Sequence, residues 1–128
     1  KQLEQYQGET FSKLCTLFNT TALLICEGQQ YDMDFELKND ISLDDYLKMI
    51  SNKTAILLGC ALQIGAIIAN TVDKDIEHIY NYGLNLGRAF QLQDDYLDTY
   101  GTKDFGKKVG GDILENKKTF LAIKVLEL

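Results

Sequence analysis

No proline occurs among the 128 residues, so nothing in the chain obliges a helix to kink or stop, and turn punctuation falls to glycine and asparagine. Cysteine is sparse: Cys15, Cys26 and Cys60 are odd in number, stand in apolar helical surroundings, and show neither C-x-x-C spacing nor histidine neighbours. That is the pattern expected of buried thiols in a reducing, cytoplasmic compartment. Long hydrophobic runs are also missing. The most apolar stretch, Ala55 to Ala69, is 15 residues long and interrupted by Gln63, short of the ~20 that a membrane span requires, so it predicts a buried helix and no membrane span. Residues 1 to 9 are polar and lack the hydrophobic core of a signal peptide. Positive charge is short too, with 13 basic against 19 acidic side chains and a net charge of −6. A chain so balanced lacks the electrostatic footprint for nucleic acid.

What is present favours helices: 45% of residues are apolar, and leucine, alanine, isoleucine, lysine and glutamate are plentiful. The spacing of Phe11, Leu14, Leu17, Phe18, Leu24 and Ile25 predicts a first helix from Phe11 to Glu27. The polar stretch from Gly28 to Asp40 either extends it or forms a loop. Ser42, three residues before Asp45, predicts an N-cap with an acidic first turn. The helix it opens either runs through Lys53 and Thr54 to near Asn70 or breaks at Ser51-Asn52. A third helix is predicted over Ile76 to Tyr100, ending at Gly101, and a fourth begins near Asp112 or Thr119. The expected fold class is all-α.

The sharpest chemical feature is the run from Phe90 to Asp98, in which Asp94, Asp95 and Asp98 fall within five residues. On a helix, Asp94 and Asp98 share one face with Gln91, while Leu86, Phe90 and Leu97 lie on the other side. Like charges four residues apart destabilise a helix by a few tenths of a kcal/mol, roughly 0.2–0.5, so the arrangement calls for a cation. Hard oxygen donors without cysteine or histidine nearby point to Mg²⁺. By itself, such a run is more often a solvated acidic face. Positive charge, however, collects downstream: residues 101–128 hold 6 basic and 4 acidic side chains, against 7 and 15 in residues 1–100. Lys107, Lys108 and Lys117 lie there among glycines, suited to neutralising a metal-borne diphosphate. Upstream, Lys53-Thr54 opens the apolar stretch, where a lone lysine is usually a snorkelling end residue.

Together, Gly28-Gln29-Gln30-Tyr31-Asp32, Lys53-Thr54, the Phe90–Asp98 run and the segment Gly106 to Lys117 resemble the trans-isoprenyl diphosphate synthases of the farnesyl and geranylgeranyl group, in order and in approximate spacing. The resemblance implies part of the isoprenoid synthase helical bundle and Mg²⁺-dependent condensation of an allylic diphosphate with isopentenyl diphosphate, within a homodimer. By resemblance, Asp94 matches a metal-binding aspartate, Asp98 its partner through metal-bound water, and Asp95 the third member of the motif. Lys53, Lys108 and Lys117 match lysines that hold the allylic diphosphate. Thr54 and Gln91 match residues whose oxygens face the nascent allylic cation, and Gln29 and Asp32 a polar pair lining the same cavity. The family's first aspartate-rich motif and its isopentenyl-diphosphate-binding basic residues have no counterpart here, so the chain is expected to be a C-terminal part of a single domain, truncated at both ends and inactive alone. The alternative is a non-catalytic regulatory subunit of a heteromeric prenyltransferase, against which the intact Asp94, Asp95 and Asp98 argue.

Overall fold

The computed structural model describes residues 5–102 and 109–126, and no strand occurs among them. The chain forms α1 (Gly8–Glu36), α2 (Leu43–Ile50), a π-turn (Ser51–Ala55), α3 (Ile56–Ile68), α4 (Asp73–Tyr100), and two short helices, α5 (Gly111–Leu114) and α6 (Phe120–Leu126). With proline absent, asparagine and glycine end and join these elements. Asn70 after α3 and Asn116 after α5 take left-handed backbone, with φ of 56° and 55°, as does Gly110 ahead of α5.

The helix begun at Phe11 does not end at Gly28. It runs on to Glu36, because Tyr31 and Phe35, one turn apart and stacked with ring centroids 6.0 Å apart, supply an apolar face while Gln30 and Glu36 are exposed. Ser42 closes a capping box. Its hydroxyl accepts from the Asp45 N–H at 3.1 Å, and the Asp45 carboxylate accepts from the Ser42 N–H at 3.2 Å.

Of the two courses open after Ile50, the structure follows the first, the helix running on through Lys53 and Thr54 to Ile68. The helix continues through Ser51-Asn52, but as a π-turn. The buried positions show why: Tyr46, Met49 and Ile50 precede it, Ser51 and Ala55 open and close it, Ile56, Gly59 and Cys60 follow it, and the apolar step from Ile50 to Ala55 is five residues where an α-helix would use four. The π-turn takes up that extra residue. Ser51 is pinned there, its Oγ donating to the Leu47 carbonyl at 2.5 Å and accepting from Arg88 Nε at 2.7 Å. Leu43–Ile68 is therefore 26 consecutive helical residues, long and apolar enough by length and composition alone to cross a membrane, a test that the core helix of a soluble protein also passes.

Glycine lets the backbones approach. A Cβ on Gly28 of α1 would lie 2.3 Å from Lys53 N, and one on Gly87 of α4 would lie 2.4 Å from Ala55 Cα, so the π-turn is clasped from both sides. The core cluster of Phe35, Tyr46, Met49, Ile50 and Ile123 lies beside it, where α1, α2 and α6 meet. The rest of the molecule is less enclosed than the apolar run predicts: Leu57 and Ile68 of α3 are 53% and 43% exposed, because α1 and α4 cover only part of that helix. Of the thiols, only Cys60 is buried. Cys15 is half-buried and Cys26 is exposed on the uncovered side of α1.

Candidate functional site

A cavity of about 260 Å³ opens where α1, the π-turn, α4 and the α5–α6 segment converge, and Asp32, Lys53, Gln91, Asp94, Asp95 and Lys117 all border it. The π-turn is what delivers Lys53 and Thr54. By postponing the next core contact to Ala55, it leaves the positions one turn beyond Met49 and Ile50 free for polar side chains. Lys53 Nζ lies 2.5 Å from Asp32 Oδ2, with side chains 32% and 14% exposed, so the ammonium is held against the cavity wall. Thr54 Oγ1 donates to Gln91 Oε1 at 3.2 Å across the gap between the π-turn and α4.

The three aspartates separate by environment. Asp94 borders the cavity. Asp98 lies one turn on, its Oδ2 accepting from the Asp112 N–H at 3.1 Å, which brings the start of α5 against α4. Asp95 also borders the cavity but is 4% exposed, its carboxylate taken up by protein donors. Its Oδ1 accepts from Gln91 Nε2 at 2.9 Å, and its Oδ2 from Tyr46 OH at 2.6 Å and the Phe120 N–H at 3.3 Å. These three protein donors leave the Asp95 carboxylate less open to a metal ion than that of Asp94. A helix places adjacent residues about 100° apart, and here that step carries the Asp95 carboxylate into the protein. Burial first, then the hydrogen bond and the charge of Asp95, push the Tyr46 hydroxyl well above the ordinary tyrosine range.

Gln29 also departs from expectation. It is exposed and does not border the cavity, because Gly28 is the residue of α1 that faces the π-turn, and Asp32, one turn further, shares its side. Lys108 lies outside the described residues. The sequence reading missed Asp112 and Tyr46, both of which border the cavity. Asp112 is carried there by its backbone bond to Asp98, 14 residues away. Burial, then the nearby Asp98 charge, push its carboxyl above the ordinary range, and Lys117, at 3.6 Å from Asp112 Oδ1, opposes them. Burial draws the Lys117 ammonium down, but its hydrogen bond to Glu115 and the charges of Asp112, Glu115 and Asp32 outweigh it, and the net shift is upward. Tyr46 could have been singled out only as an aromatic in a capped, amphipathic helix.

Among the described residues, no three His, Cys, Asp or Glu side chains converge tightly enough to enclose an ion. Asp94 and the charge-crowded Asp112 instead border the open cavity together with Lys53 and Lys117, and Asp98 lies against the Asp112 backbone. Such a donor set suits a Mg²⁺ ion that keeps water and substrate oxygens in its shell.

The sequence profile described as polyprenyl synthetase matches residues 1–128. The chain belongs to that family. Within it, the chain is 47% identical over 122 residues to a geranylgeranyl diphosphate synthase of Sulfolobus acidocaldarius, covering 94% of this chain and 37% of that protein. It is 45% identical over 105 residues to a geranylfarnesyl diphosphate synthase of Natronomonas pharaonis, covering 81% of this chain and 31% of the relative. A crystal structure of a geranylgeranyl pyrophosphate synthase superposes with a TM-score of 0.93 at 56% identity, covering 98% of this chain and 38% of that one. The chain thus spans about a third of the length of these family members, and its all-helical architecture is theirs.

Proposed function

We propose that the chain is the C-terminal part of an isoprenyl diphosphate synthase and supplies the diphosphate-binding wall of its site, the allylic substrate being condensed with isopentenyl diphosphate. The observation that carries this reading is the one cavity bordered by Lys53, Lys117, Asp94, Asp112 and Gln91, with Thr54 hydrogen-bonded to Gln91. Bound Mg²⁺ would be held through Asp94 and Asp98, with Asp112 beside them, and would neutralise diphosphate oxygens. Lys53 and Lys117 add point charges to the same group. As the allylic C–O bond breaks, the electron pair leaves with the diphosphate, and positive charge develops on the hydrocarbon next to the Gln91 carbonyl and the Thr54 hydroxyl oxygen, whose dipoles stabilise it. The double bond of isopentenyl diphosphate then attacks the cation to form the new C–C bond, and the released diphosphate takes up the proton lost from the product. Asp32 holds Lys53 in place before substrate arrives. A homodimer is part of this reading, as for the family it resembles.

The test uses the full-length protein and steady-state rates with an allylic diphosphate across a magnesium titration. Asp94→Ala and Lys53→Ala are each expected to lower turnover by ~10²–10³. Added magnesium should restore part of the Asp94→Ala rate and none of the Lys53→Ala rate. Wild-type rates in Asp94→Ala at every magnesium level would reduce the acidic face to a solvated helix surface and end the proposal.

A further inference from the structure

Asp95 is the most enclosed acidic side chain of its run: it borders the cavity, yet it is 4% exposed and its carboxylate carries three hydrogen bonds from the protein. A carboxylate can only accept hydrogen bonds, so the Gln91 amide has no choice of face: its NH₂ group must turn to Asp95 and its carbonyl oxygen must turn to Thr54 and the cavity. Without that partner, the amide could rotate by half a turn and present N–H donors to the cavity, a dipole of the wrong sign beside a growing cation. Asp95 itself is fixed from behind by Tyr46 OH and by the Phe120 N–H at the start of α6. The order Tyr46, Asp95, Gln91, Thr54 thus runs from the core to the site as a chain of directed bonds.

We propose that Asp95 is a positioning residue that sets the polarity of the Gln91 amide towards the reacting carbon and takes no part in binding metal, an assignment that rests on the reaction proposed above. Asp95→Asn reverses the instruction. An asparagine carbonyl can still accept from Tyr46 and Phe120, while its NH₂ group, now at the Gln91 side, calls for an acceptor and flips the amide. Adding Gln91→Glu meets that call with a carboxylate oxygen and leaves another oxygen facing Thr54, so the double variant keeps every bond and the net charge.

The experiment measures kcat, KM for both diphosphates and magnesium dependence in the full-length protein, with circular dichroism to establish folding. Asp95→Asn is expected to lose about 10²-fold in kcat, with KM and the magnesium midpoint within about threefold of wild type, and the double variant to recover at least ~10-fold of the loss. An Asp95→Asn variant that turns over like wild type, or whose defect is repaired by magnesium, overturns the positioning role, as does a folded double variant no better than the single one. If Asp95→Asn does not fold, the double variant decides alone, and failure of both to fold assigns Asp95 to the fold only. A wild type that makes no longer prenyl diphosphate overturns the reaction itself and this role with it.

Discussion

Asp112 shows how a single carboxylate can work against its own fold. Burial and the neighbouring Asp98 raise its pKa despite Lys117, so the folded protein favours the protonated form. A carboxyl raised in this way contributes stability that is fully present below its unfolded value and is lost as pH rises through the folded one. Asp112→Asn should therefore raise the melting temperature at about pH 7, with a gain that shrinks as pH falls towards ~4, where an ordinary aspartate takes up its proton. Thermal unfolding followed across that range checks it. A lower melting temperature at neutral pH would mean that the contact with Lys117 outweighs the crowding. The aspartate that strains the fold is one that borders the cavity, its backbone against Asp98, the usual pattern where stability is given up at a site.

Among the elements, the π-turn depends on what lies against it. A methyl group on Gly28 would stand 2.3 Å from Lys53 N and 2.7 Å from Asn52 C, both backbone atoms with no room to yield. Gly28→Ala is expected to cost about 1–3 kcal/mol in denaturant unfolding by forcing α1 away. Gly65→Ala, on α3 where no atom lies within 4 Å of the added carbon, should stabilise by up to about 1 kcal/mol through helix propensity alone. Equal effects at the two positions would remove the clasp from the account. The sequence already carried much of this layer. Ser42 with Asp45 announced the cap, and the four-residue rhythm from Asp94 to Asp98 set the two one turn apart on α4, Asp94 at the cavity and Asp98 against the start of α5. The slip from four to five residues between Ile50 and Ala55 was present in the apolar pattern as well, but only burial separates a slipped seam from an ordinary run. Gln29 was misplaced for a geometric reason. Motif membership groups residues that are neighbours in sequence, whereas a helix sends neighbours about 100° apart.

At the scale of the whole molecule, large apolar side chains crowd the outside: Phe18 at 57% exposure and Leu23 at 67% on α1, Phe90 at 59% and Tyr96 at 54% on α4. Faces of this size ordinarily meet protein. Residues 1–128 expressed alone are expected to self-associate in sedimentation velocity and to form no prenyl product from labelled isopentenyl diphosphate, since the cavity has one acidic wall and is open opposite it. A monodisperse monomer with turnover would contradict both. The slipped seam also makes the protein unusually sensitive to changes in length. Along most of a surface helix, losing one residue rotates everything beyond it together and the loss can be absorbed at the next loop. Here the two stretches flanking Ser51–Ala55 are already out of phase by about a quarter of a turn, and both are anchored, one to the Tyr46 side of the core and the other to Gly87. Dropping a single residue there would leave a regular helix with Ala55 four places after Ile50, so the core would keep its contacts while Lys53 and Thr54 lost the bulge that turns them to the site.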